Sequence, residues 1–316
     1  AGMLPLGLAM ATALLAMGLA GRADAATLTW QGGVNDAWAG FFSSGTPGTI
    51  GYLERNNWGY VGAKAPMPAN LDNLVFAGVN RLANTNTQSG LTLNSLSFAA
   101  NAGAFTLGGV NIGLMAGGIS NLSNQRQTLN LGITAYADQT WSGGVAGIVY
   151  KGSHLGADAT SLVLANNFIV QQQELDIAIG DAGNATLTVL TGSSVTANNI
   201  TLGREGGSLG TVNLRGSSSF LSAATDFNVG AQGDGILGVE SGAVVSNADY
   251  GYLGSSGGSG SVTVTDAGSR WTMGKDLLAF TGDLTVASGG AVEARSAYLA
   301  KYGGNTMQVT VQGTDS

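Results

Sequence analysis

The stretch Leu187-Thr-Val189-Leu-Thr-Gly192-Ser-Ser-Val195 returns as Leu237-Gly-Val239-Glu-Ser-Gly242-Ala-Val-Val245, and again as Leu284-Thr-Val286-Ala-Ser-Gly289-Gly-Ala-Val292. The spacing is 50 residues from Leu187 to Leu237 and 47 from Leu237 to Leu284. A fixed period of this size is the signature of a stacked-repeat architecture. Between the blocks lie further short apolar segments, ending at Leu202-Gly203, Leu253-Gly254 and Leu299-Ala300. Others are Val212-Asn-Leu214, Val262-Thr-Val264 and Val309-Thr-Val311. Phe227-Asn-Val229-Gly230 aligns with Leu277-Leu-Ala279-Phe280, and Phe220 with Trp271.

Four or so alternating strands per unit, punctuated by Gly and Ser, predict half-buried β-strands rather than helices. Alternation turns Leu187 and Val189 to one core and the Thr between them to solvent. A coil of a parallel β-helix takes roughly 20–30 residues, so each fifty-residue unit reads as two coils. The fold class is therefore all-β: a parallel β-helix, or β-solenoid. With about 25 residues per coil, residues 110–316 should form about eight coils.

Composition agrees. Gly accounts for 52 of 316 residues, about twice the usual share of roughly 7%. Only 4 residues are Pro, and there is no Gly-x-y period, which excludes collagen. A hydrophobic content of 44% with 10% charged residues argues against disorder. No cysteine is present, so disulfides do not staple the core. The net charge of -7 argues against nucleic acid and anionic lipid as partners.

Residues 4–20 are almost wholly apolar and are followed by Ala23-Asp24-Ala25, an A-x-A cleavage signal. Residues 1–25 thus read as a secretory signal peptide. The missing charged n-region and initiator Met suggest a fragment. Residues 26–80, with Trp30, Trp38, Trp58 and the Pro66-Met-Pro68 loop, read as an irregular N-terminal cap covering the open end of a solenoid. Residues 81–316 read as the β-solenoid repeats, clearest from 185 onward and truncated at the C-terminus. Within them Ile112 and Ile119 suggest separate short strands, and Trp30-Gln-Gly-Gly33 is echoed by Trp141-Ser-Gly-Gly144.

Leu74-Val-Phe-Ala-Gly78, Leu96-Ser-Phe-Ala-Ala-Asn-Ala-Gly-Ala-Phe-Thr-Leu107 and Asp138-Gln-Thr-Trp141 resemble autotransporter-associated β-strand segments. Gly260-Ser-Val-Thr-Val-Thr-Asp-Ala-Gly-Ser-Arg-Trp271 resembles the repeat shared by type V secretion passengers and PEP-CTERM surface proteins. The resemblance spans roughly residues 70–316, and departs from the pattern at Phe220, which takes the place of a Trp. It implies a right-handed β-helix, exported and displayed at the surface of a Gram-negative cell through a C-terminal β-barrel. No such barrel lies in these residues. The function it implies is an adhesin or structural spacer. Expected partners are glycans, a host or neighbouring cell surface, or further copies of the chain. A PEP-CTERM-type surface repeat protein is one alternative; a β-helix polysaccharide lyase or hydrolase is another.

The residues assign no catalytic, cofactor-binding or metal-ligating position, and no cofactor is expected. His154 is the single histidine and reads as a loop or surface residue. There is no Cys nucleophile, G-x-S-x-G elbow or H-E-x-x-H site. Gly257-Gly-Ser-Gly-Ser-Val-Thr-Val264 begins like a calcium nonapeptide, but Ser261 stands where that repeat needs Asp. Two acidic groupings bear on the enzyme alternative: Glu174 with Asp176 and Asp181, and Asp276 with Asp283. Glu174 and Asp176 would share a face if they lay on a strand, and glycoside hydrolysis requires two carboxyls about 5–10 Å apart. A solvated face is the simpler reading, as is an exposed turn for Arg204-Glu205. Tyr250, Tyr252 and Tyr298 offer rings that stack on sugars, or that finish the solenoid flank.

Overall fold

A computed structural model describes residues 25–30, 36–38, 41–44, 53–56, 58–59, 67–153, 155–156, 160–172 and 174–316. The signal peptide read at 1–25, apart from Ala25, lies outside the described residues, as do Pro66 and His154. The described chain is a parallel β-solenoid of about ten turns, with strands stacked coil on coil and a single short 3-10 turn at Ser255–Gly257.

Each regular coil contributes one strand to each of three sheets. Asn184–Leu190, Ser194–Ala197 and Ile200–Leu202 make one coil; Leu209–Arg215, Phe220–Ala223 and Phe227–Val229 make the next. The fifty-residue unit thus carries six strands where the sequence suggested about four. The overlooked strands are short. Ser194–Ala197 turns only Val195 and Ala197 inward, too little apolar signal to separate it from the preceding turn. The second sheet holds ten strands, two of which precede residue 110. The remaining eight give the eight coils expected from 110 onward.

Register shows why the repeat has this period. Leu187, Val212, Leu237, Val262, Leu284 and Val309 lie in one column of the first sheet, each directly beside the next. Leu and Val alternate along it, so equivalent residues recur every second coil. The step is 25 residues as far as Val262 and 22 from Val262 to Leu284, which explains the 47-residue spacing. The short coil passes from Ala279 through Phe280-Thr281 to the next strand, whereas the coil before it inserts the turn around Ser255–Gly257. A neighbouring inward column runs without a break from Leu28 through Leu74, Leu96, Ile119, Trp141 and Leu164 to Val189, and on to Val311. Apart from Val311 at the end of the described chain, its members are buried. Burying a Leu or Val side chain contributes roughly 1.5–3 kcal/mol, so such columns hold successive coils together.

Two register details differ from the sequence alignment. Trp271 lies beside Val245, and Val245 beside Leu221, while Phe220 is in register with Val244 and, one coil on, Arg270. Phe220 therefore faces outward, half-buried, and Leu221 takes the core position equivalent to Trp271. The alignment by aromatic type was one residue out, and one residue reverses the face of a strand. Likewise Ile112 and Ile119 belong to a single strand, Ile112–Asn121, which bulges against its neighbour: Leu93 faces Leu114 while Ser95 faces Gly118. Residues Met115 to Gly117 are accommodated in that bulge, which bends the strand without ending it.

The first sheet reaches into residues 26–80. Thr27–Trp30 pairs in parallel with Asn73–Phe76 and antiparallel with Trp58–Gly59, and Phe41–Ser44 pairs antiparallel with Leu53–Asn56. The antiparallel pairings among the described residues occur at this end. Buried Trp30, Trp38, Phe76, Phe98 and Phe105 pack there as a cluster of rings.

Where the third sheet hands over to the first, backbone presses on backbone. Gly230 and Gly254 have φ of 77° and 60°, and a Cβ at either would overlap a carbonyl oxygen of the following coil, from Ser259 or Thr281. Only glycine fits a positive φ in such close contact. The dipeptides Val229-Gly230 and Leu253-Gly254 thus mark a corner of the solenoid.

Candidate functional site

The outer face of the third sheet changes character along the solenoid. Its outward position runs through Ala178, Thr201, Asn228, Tyr252, Leu278 and Tyr298 on successive coils. Ala178, Thr201 and Asn228 give way to an aromatic and apolar strip in which Tyr252 is half-buried, Leu278 is buried and Tyr298 is exposed. Tyr250, just ahead of its strand, has its ring centroid 6.0 Å from that of Tyr252. At the far flank the rings of Phe280 and Tyr302 lie 5.7 Å apart.

Charged side chains from adjoining coils border the strip. Lys275 Nζ lies 5.0 Å from the centre of the Tyr250 ring and 2.8 Å from the Asp249 carboxylate. The Asp249 hydrogen bond raises the Lys275 pKa. Lys301 Nζ lies 5.7 Å from the Tyr298 ring and 5.8 Å from Tyr302. Such cation–ring contacts contribute about 0.5–1 kcal/mol at exposed positions. Arg295 donates to both oxygens of buried Asp276, each at 2.9 Å. These bonds hold the Asp276 carboxyl below the usual carboxylate range. Partial burial, then the negative charge of Asp226, push the Tyr252 hydroxyl upward.

The structure disperses the acidic groupings read from sequence. Glu174 and Asp176 are exposed in the turn between Phe168–Gln172 and Ile177–Ile179, not on a strand face. Asp176 accepts a hydrogen bond from Asn198 on the next coil at 2.8 Å. Asp181 pairs with Arg204, one coil on, at 2.7 Å. Asp276 is engaged by Arg295, and Asp283 lines a separate open depression beside Met307 and Gln308. Ser261 lies within the strand Ser259–Thr265 of the first sheet. Among the described residues no three His, Cys, Asp or Glu side chains converge on a point, and no helix is long and apolar enough to cross a membrane. A depression of about 430 Å³ crosses four coils at a corner, bordered by Asn166, Thr191, Arg215 and Ser241.

The tyrosines singled out in the sequence thus come together, while Lys275, Leu278, Phe280, Arg295, Lys301 and Tyr302 were missed as members of the same face. The coil spacing of 25 residues misses them: the steps from Tyr252 to Leu278 and from Leu278 to Tyr298 are 26 and 20 residues, fixed only by the register. Comparison with protein-family models, with curated proteins and with solved structures finds no match to this chain.

Proposed function

We propose that this chain is an exported, surface-displayed solenoid passenger that acts as an adhesin and rigid spacer. The observation that carries this reading is the unbroken inward column from Leu28 to Val311, which makes one continuous stack of coils. A stack of this kind offers a long surface with many points of contact, and repeat proteins bind through such surfaces. Support for export comes from the apolar run and A-x-A signal before Ala26. Support for the type V secretion class comes from the resemblance at residues 70–316. In this reading a C-terminal barrel belongs to the same polypeptide outside the sequence given.

The test is display and adhesion. Antibody against residues 185–316 should label intact cells of the source organism, and external protease should remove the label. Purified protein should coat a glycan or cell surface, and deleting one fifty-residue unit should weaken attachment gradually, because multivalent binding depends on how many contacts engage together. Label appearing only after cell lysis would overturn display. Turnover of pectin or alginate, lost in Glu174→Gln or Asp176→Asn, would replace the passenger with a polysaccharide-processing enzyme.

A further inference from the structure

The aromatic strip on the third sheet is one site built by three coils. Tyr252, Leu278 and Tyr298 occupy the same outward register on consecutive strands, so the two tyrosines stand two coil rises apart along the axis, about 10 Å. That span is comparable to one disaccharide of an extended glycan. The three earlier coils carry Ala178, Thr201 and Asn228 at this register, so the feature is local and not a property of every coil.

Chemistry on either side of the strip narrows the occupant. Asp226, Asp249 and Asp276 face Lys275, Arg295 and Lys301. Charges of the two signs are equal in number here, on a chain whose net charge is -7. A polyanion finds no excess of positive charge to attract it, and a polycation no excess of negative charge. The Asp249–Lys275 pair presents an acceptor and a donor side by side, and Arg295, exposed while its partner Asp276 is buried, adds further donors, beside rings with an apolar body and a polar tip. A pyranose matches this combination: its C–H face packs on a ring while its hydroxyls both donate and accept at the rim. We infer that residues 249–302 form a binding site for a neutral, extended polysaccharide lying along the solenoid axis, with alternate sugars stacked on Tyr252 and Tyr298 and their hydroxyls bonded to the Asp249–Lys275 pair and to Arg295. This site rests on the adhesive reading above and names its ligand class.

The full chain should be titrated by calorimetry with cellohexaose, xylohexaose and mannohexaose, with polygalacturonate as the acidic comparison. At least one neutral hexasaccharide should bind. Tyr252→Ala and Tyr298→Ala should each weaken it about tenfold, the equivalent of roughly 1.4 kcal/mol, while Thr201→Ala, at the same register on an earlier coil, leaves it intact. Absence of binding to all three neutral probes, preference for polygalacturonate, or equal binding by the alanine variants would overturn the site. Concentration-dependent association abolished by Tyr252→Ala, without glycan binding, would assign the strip to a second copy of the chain instead. Adhesion assays run alongside separate the two ideas. Tyrosine variants that attach as well as the parent chain remove this site and leave the adhesive reading standing, whereas a parent chain that attaches to nothing removes that reading.

Discussion

The indole N–H of Trp271 donates to the side-chain carbonyl of Asn247 on the preceding coil, at 2.9 Å, with both groups buried. The same device recurs at Trp38 with Asn84, at 2.7 Å, and at Trp141 with Gln139, at 2.7 Å. A ring large enough to fill a coil brings a polar N–H into the core, where an unpaired donor costs about 1–3 kcal/mol. An amide within reach removes that cost; Asn247 also ties its coil to the next, whereas Gln139 lies two residues from Trp141 on the same strand.

Asn247→Leu should therefore destabilise the chain by about 1–3 kcal/mol, because it strands the Trp271 donor. Adding Trp271→Phe to Asn247→Leu removes the donor as well, so the double variant should lose less than the sum of the two single changes. Urea unfolding of the four proteins gives the coupling energy; strictly additive losses would show that the hydrogen bond contributes nothing.

Val239→Asp places a carboxylate in the continuous inward column between Leu214 and Val264. An unpaired buried charge costs several kcal/mol, and coils depend chiefly on their neighbours. Limited proteolysis should begin near residue 239 and spread along the axis. A digestion pattern identical to that of the parent chain would contradict the inward assignment.

Gly254→Ala sets a Cβ against the Thr281 carbonyl at a φ of 60°. Gly206, at the exposed turn before Ser208, has open space around it and no positive φ. The first substitution should lower the thermal midpoint by several degrees, corresponding to more than about 1 kcal/mol. Gly206→Ala should be close to neutral. Equal midpoints for both would remove the close-contact corner as a constraint.

Acid titration isolates the Asp276–Arg295 pair. Its folded-state pKa is lowered from 3.8, chiefly by the Arg295 hydrogen bonds. The sign follows: the unfolded chain takes up this proton first, so the pair's contribution is fully present above the ordinary carboxylate range and is lost as pH falls through the lowered value. Arg295→Met should lower stability most near pH 7, with the difference from the parent chain shrinking as pH falls through the lowered value, and so move the acid unfolding midpoint to higher pH. Tryptophan fluorescence against pH measures this; an unmoved acid midpoint would mean the pair has no weight in folding.

Much of the solenoid was legible because the core demands a two-residue alternation and the stack demands a period. Leu187, Val189, Leu237, Val239, Leu284 and Val286 all proved buried. What stayed hidden depended on counting the chain through its corners. Phe220 and Trp271 were matched by size, yet Leu221 is the residue that shares Trp271's column. The shortened coil before Leu284 was visible only as a 47-residue spacing. The alignment of Tyr252 with Tyr298 escaped for the same reason: the two share a column only once the register of the intervening Leu278 is known.

The alternation of Leu with Val down the column from Leu187 to Val309 has a consequence for heredity. The smallest segment whose duplication preserves this Leu–Val alternation is two coils, not one. A copied single coil would set Leu against Leu or Val against Val at its junction, as Leu162 stands against Leu187 where the alternation begins, and would need its neighbours to repack. Length variants of this rod should therefore differ by whole fifty-residue steps, each adding about 10 Å of reach. Its length in a population would be counted in pairs.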